Sequence, residues 1–191
     1  MIEINARKIK ENEEFERASK NLPKNLILQV YRNAEPSRIY DRHDVNITFV
    51  PYNEKQLATS TDIAFYNNKV DWANFNVIVP CLHLCPEFAN EPVNEIVFLY
   101  TKKIPKKYEY IDLYIQSHQQ ENTLRSCSIE FIDKDKVETL FSYTFEQKEM
   151  FANLSCGTFA RVSNGWKFYP KFEVPNNTIL QLNLSKQKGK S

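Results

Sequence analysis

Phe159-Ala160-Arg161-Val162-Ser163-Asn164-Gly165-Trp166-Lys167-Phe168-Tyr169 is the stretch that decides the fold class. Two runs rich in aromatic and β-branched residues flank Asn-Gly, the dipeptide best suited to reversing an extended chain. The segment therefore predicts an antiparallel hairpin. Working outward, similar runs recur at short intervals: Leu26 to Tyr31, Val45 to Phe49, Asp62 to Tyr66, Phe75 to Leu84, Ile96 to Tyr100, Tyr110 to Ser117, Ser126 to Ile132 and Thr139 to Phe145. Turn chemistry such as Pro105-Lys106-Lys107 and Asp133-Lys134-Asp135-Lys136 separates them. Ile179 to Leu184 reads as a last strand, and Pro80 marks an edge or bulge.

Before the first strand, Ile2 to Leu22 spaces Ile2, Ile4, Ile9, Phe15, Ala18 and Leu22 in a loose helical pattern that stops at Pro23. The expected fold is all-β: an antiparallel β-sandwich of two sheets with a short N-terminal helix. Residues 1–25 form the helical extension, 26–185 the sandwich domain, and 186–191 a basic tail.

Composition narrows the function. Lys plus Arg (25) nearly balance Asp plus Glu (24), so no global field draws the chain to nucleic acid or an anionic membrane. Only three glycines are present, too few for the glycine-rich loops by which backbones approach phosphates. No run approaches the roughly 20 apolar residues of a membrane span, and the charged start does not resemble a secretory signal. A cytoplasmic location with the four cysteines reduced is expected.

Three segments, in order, resemble the TerD tellurium-resistance and stress-response family. They are Asp62-Ile63-Ala64-Phe65-Tyr66-Asn67-Asn68, the stretch from Tyr110 to Phe145, and Phe159 to Phe168, which ends Asn164-Gly165-Trp166-Lys167-Phe168. The family carries a D-x-x-F-Y-N-N segment and a final hairpin whose second strand begins G-E-W-K-F. The resemblance spans roughly Leu26 to Tyr169. It implies a two-sheet sandwich, a non-enzymatic stress or assembly role with a protein partner, and calcium held by an early D-x-D segment and an acidic glycine-rich loop.

Hard Ca²⁺ takes six to eight oxygens, several of them anionic. The resemblance assigns Asp44, Asn46, Asp62, Asn67 and Asn68 as ligands. Asn46 stands where the family has a second carboxylate, and Phe88 to Glu95 lacks glycine and holds two carboxylates. Tyr31-Arg32-Asn33 replaces a family glycine-tryptophan-aspartate segment, and Arg42 and His43 lower the negative charge beside Asp44. Calcium is therefore expected to bind weakly, and a structural or interaction module with no ion is the alternative.

Other patterns compete. Cys81, His83 and Cys85 fall on one face of an extended strand and could seed a metal-dependent enzyme, but i and i+4 lie about 13 Å apart on a strand, too far for compact zinc coordination. Buried thiols and a hydrogen-bonded histidine are the plainer expectation. His118 with Cys127 or Cys156 lacks the orienting partners of a nucleophilic site. Asp133, Asp135, Glu11, Glu13 and Glu14 read as solvated surface. Tyr108, Tyr110 and Tyr114 read as strand packing, with Lys102, Lys103, Lys106 and Lys107 guarding a sheet edge.

Overall fold

The computed structural model describes residues 20–32, 45–53, 62–65, 68, 70–76, 93–117 and 124–175. They build ten strands in two five-stranded antiparallel sheets. The first sheet runs β1 (Lys20–Asn21), β10 (Gly165–Glu173), β9 (Asn153–Val162), β6 (Tyr110–Ser117), β3 (Val45–Tyr52). The second runs β4 (Ala73–Asn76), β5 (Val93–Tyr100), β2 (Asn25–Arg32), β7 (Leu124–Asp133), β8 (Glu138–Phe151).

Period-two alternation assigns the faces. Leu26, Leu28 and Val30 of β2, Val97 and Leu99 of β5, and Ile129 and Phe131 of β7 point from the second sheet into the core. Ile47 and Phe49 of β3, Ile111, Leu113 and Ile115 of β6, Phe159 of β9, and Trp166 and Phe168 of β10 meet them from the first. The aromatic centre joins the layers: Phe131 lies 4.6 Å from Phe168 and 4.6 Å from Phe141, and Phe159 lies 4.9 Å from Phe168 between ring centroids. Such offset or edge-on contacts add to the area that large rings bury.

The hairpin forms as expected, with Gly165 paired to Val162 and Ser163-Asn164 as the two-residue turn. Gly165 takes a φ of 148°, which favours glycine. β8 and β9 are both longer than the sequence runs suggested, because backbone pairing continues through polar residues that carry no strand signal. Within the described part of the Asp62 to Tyr66 segment, Ala64 and Phe65 form isolated bridges, Ala64 pairing Phe49 and Phe65 pairing Asn68. Of the expected strand Phe75 to Leu84, only Phe75 and Asn76 lie inside the described residues, where they end β4, which begins two residues earlier at Ala73.

Residues 2–19, the bulk of the expected N-terminal helix, lie outside the described residues, as do Ile179 to Leu184 and the basic tail. At the end of that segment, Lys20 and Asn21 form a strand on Phe168 and Lys167, and Leu22 donates its N–H to the Trp166 carbonyl at 2.9 Å. No α-helix occurs among the described residues.

Gly157 carries one structural necessity. Its φ is 140°, and a Cβ there would stand 2.3 Å from the Tyr169 carbonyl oxygen and 2.9 Å from the Phe168 ring. The ladder between β6 and β9 slips at this point, between Leu113 and Tyr114. Glycine is required both for the backbone conformation and for the close approach of β10.

Candidate functional site

Of the five expected ion ligands, Asn46, Asp62 and Asn68 lie among the described residues. Asp44 and Asn67 lie outside the described residues. Asn46 sits near the start of β3, opposite Gln116. The antiparallel Phe49–Ala64 bridge carries Asp62 toward the opposite end of β3, so the two positions are about 16 Å apart along the strand.

At that far end Asp62 accepts a hydrogen bond from the Tyr108 hydroxyl and pairs with Lys107 Nζ at 3.1 Å. The cation beside it supplies the charge that a calcium ion would otherwise supply. Asn68 donates its side-chain amide to the Ile63 carbonyl, closing the turn of its own segment. The three described members thus do not fit a shared calcium site, and among the described residues no cluster of three or more His, Cys, Asp or Glu is placed to hold a metal.

A different polar centre emerges on the outward face of the first sheet. Thr48, Asp112, Gln116, Asn153, Ser155 and Thr158 are all buried there, with Asp112 only 1% exposed. Register explains the gathering, since β3, β6 and β9 place Val50, Asp112 and Thr158 in one row, and Asn46, Gln116 and Asn153 in another. Asp112 Oδ1 accepts from the Tyr52 hydroxyl at 3.1 Å and from Thr158 Oγ1 at 2.6 Å. Thr48 Oγ1 donates to Gln116 Oε1 at 2.9 Å, and Gln116 Nε2 donates to Asn153 Oδ1 at 3.1 Å.

Burial and then the nearby Asp112 carboxylate push the Tyr52 and Tyr114 hydroxyls well above the ordinary phenol range. Both stay protonated and can only donate to or bridge their neighbours. Tyr52 and Tyr110 stack at 5.4 Å beside this network, closing it with Ala160 and Tyr169.

A second buried carboxylate lies between the sheets. Glu95 continues the inward phase of Val97 and Leu99 on β5, is 2% exposed, and accepts the Ile47 N–H of β3 through Oε2. Burial raises its pKa from 4.5 to about 8, so it is mostly protonated at neutral pH. It is one of the two carboxylates in the stretch where the acidic loop was sought, and it is turned inward to join the sheets. Its signal was available in the sequence as a single charge in phase with core valine and leucine. Asp112 gave no such signal, because it alternates with the inward Ile111 and Leu113 and so reads as an ordinary outward-facing charge.

The remaining candidates resolve unevenly. Cys81, His83, Cys85, His118, Glu11, Glu13 and Glu14 lie outside the described residues. Cys127 and Cys156 are buried, and burial pushes the Cys127 thiol up to about 12 and Cys156 well above its usual value. Neither yields a thiolate near neutral pH.

Asp133 corrects the expectation of a solvated carboxylate. It is buried and accepts the backbone N–H groups of Asp135 and Lys136 at 2.9 and 3.2 Å, shaping the β7–β8 turn. Asp135 is exposed but accepts from the Asn25 side-chain amide at 2.9 and 3.0 Å. Tyr108 and Tyr110 are buried as packing residues, whereas Lys102, Lys103, Lys106 and Lys107 project from the connection between β5 and β6 rather than from an edge strand. Arg161 holds that connection through the carbonyls of Ile104, Pro105 and Tyr108, with its guanidinium 4.4 Å over the Trp166 ring.

The architecture is that of two solved structures. A homologue of the telluride resistance protein TerD, SCO6318 from Streptomyces coelicolor A3(2), superimposes with a TM-score of 0.59 at 10% identity, covering 84% of this chain and 95% of that one. The crystal structure of SAV2460, a protein of unknown function, gives 0.58 at 11% identity, covering 84% and 94%. No protein-family model matches the sequence, and neither does any curated protein. The chain has a divergent TerD-like fold, and at this identity the likeness is one of fold alone.

Proposed function

Starting from a TerD-like fold, we propose that this chain is a non-enzymatic stress-response or tellurium-resistance module that works in the cytoplasm by binding a protein partner, with calcium at most a weak ligand. The observation that carries the reading is the use made of the buried carboxylates. Asp112 holds Tyr52 to Thr158, Glu95 holds β5 to β3, and Asp133 shapes a turn. Each is committed to holding the fold together, and Asp62 is matched by Lys107.

The reading with no ion ligand at all is favoured by one further feature, the engagement of Asp62 by both Lys107 and Tyr108 far from Asn46. A thermal melt of chelator-stripped protein with and without millimolar calcium separates the two. A ligand at its own Kd stabilises by about 0.4 kcal/mol, and one at a hundredfold excess by about 2.7 kcal/mol. For a chain of this size the former is a rise of about 1–2 °C. Weak binding predicts that small rise, and no change supports the ion-free module. A rise several times larger that disappears in Asp44→Ala overturns both in favour of a tight site.

A further inference from the structure

The four sheet edges are finished differently. The first sheet ends at β1, only two residues long, and at β3, whose outer N–H groups at Phe49 and Ile47 are taken by the Ala64 carbonyl and by Glu95. The second sheet ends at β4, four residues long, and at β8, fourteen residues long. Among the described residues no strand pairs with the outer side of β8. Phe141 to Phe145 of this strand contain no charge and no proline, and the irregularities of its ladder with β7 fall outside them, at Leu140 and beyond Glu146, so this stretch lacks the features by which natural sheets discourage edge pairing. Phe141, Tyr143 and Phe145 alternate along it toward the core side and remain only half-buried, while Ser142 and Thr144 are exposed on the other face.

We propose that β8 is the interface with a second copy of this chain, the two β8 strands pairing antiparallel about a twofold axis centred on Tyr143. The register follows from the side chains. Centring on Tyr143 sets Phe141 against Phe145 and Ser142 against Thr144 of the other copy, matching aromatic with aromatic on one face and hydroxyl with hydroxyl on the other. Centring one residue earlier, on Ser142, would oppose Glu138 with Glu146 in both halves, a like-charge pairing that destabilises. A twofold contact is self-complementary by construction, and this one continues the second sheet across both copies.

Sedimentation equilibrium of the full chain across the micromolar range tests the proposal, with circular dichroism and melting curves as the check on folding. The wild-type chain is expected to show a concentration-dependent dimer. Ser142→Lys combined with Thr144→Lys sets lysine against lysine twice and should raise the dimer dissociation constant at least about tenfold. Ser142→Lys combined with Thr144→Glu sets lysine against glutamate in the same register and should restore the dimer. A wild-type chain that stays monomeric overturns the proposal, even if β8 captures an extended peptide from another protein. A dimer that both double variants leave unchanged also overturns it, because its interface is then elsewhere.

Discussion

The outer faces of the two sheets are built from similar residue types and put to different use. On the first, Thr48, Asp112, Gln116, Asn153 and Thr158 are buried and bonded to one another. On the second, the Tyr31 hydroxyl donates to Gln29 and Glu130, and Ser128 pairs with Thr144 at 2.8 Å, but Ser142, Thr144 and Glu146 remain exposed. A buried hydrogen bond that loses one partner leaves the other unsatisfied, whereas an exposed one passes its partner to water. The first face therefore holds the fold rigidly, and the second is free to change.

The largest expected effect is at Gly157, where the first sheet admits no side chain. Gly157→Ala should cost about 4 kcal/mol or more, or prevent folding, because the obstructing atom is the backbone oxygen of Tyr169 rather than a movable side chain. Urea denaturation measures this directly. A cost below about 1 kcal/mol would mean that β10 can withdraw, and the rigidity of that sheet would be disproved.

Asp112→Ala comes next. Stranding the Tyr52 and Thr158 hydroxyls should cost about 3 kcal/mol, whereas Ser142→Ala on the outer face of the second sheet should stay within about 0.5 kcal/mol. Equal losses from the two variants would erase the contrast between the faces.

Glu95 extends the comparison to the seam between the sheets. Its folded pKa of about 8 stands above the ordinary 4.5, so the native state binds its proton more tightly than the unfolded chain does. Its contribution to stability is complete below about pH 4.5, falls as pH rises, and is lost by about pH 8. Glu95→Gln keeps the acceptor for Ile47 and cannot ionise. The unfolding free energy, followed by urea denaturation at each pH, should accordingly fall by about 3–4 kcal/mol between pH 5 and 8 in the wild type relative to the variant. Parallel curves would show that Glu95 is not buried at the seam.

The smallest effect concerns the turn into β8. Val137 is 85% exposed with a φ of 55°, a left-handed conformation that a β-branched residue adopts at a cost. Val137→Asn should stabilise the chain by about 0.5–1 kcal/mol, read as a small rise in melting temperature. A loss instead would place a stabilising contact at that turn.

How far the fold was readable follows from where the signal lies. Tyr110 to Ser117 was readable residue for residue because apolar alternation and turn residues coincide with its ends. The outer half of β8 and the first half of β9 were not, since Glu146 to Phe151 and Asn153 to Thr158 are mostly polar or small and become strands through their partners. The ion ligands were assigned by segment likeness, and likeness carries no distance. Asn46 and Asp62 stand 16 positions apart in the chain, and only the pairing of Phe49 with Ala64 shows which end of β3 each occupies.

Local chemistry in the sequence determined the strand-rich class, the Asn164-Gly165 hairpin, the inward rows of Val, Ile, Leu and Phe, and the likeness to TerD proteins. These depend on period-two alternation and turn residues, which act between near neighbours. Tertiary structure alone decided which polar residues meet. Asp112 finds Tyr52 and Thr158 from sequence separations of 60 and 46 residues, and Glu95 finds Ile47 from 48. Those meetings are set by strand order and register, which come from the packing of the whole sandwich rather than from any one stretch of chain.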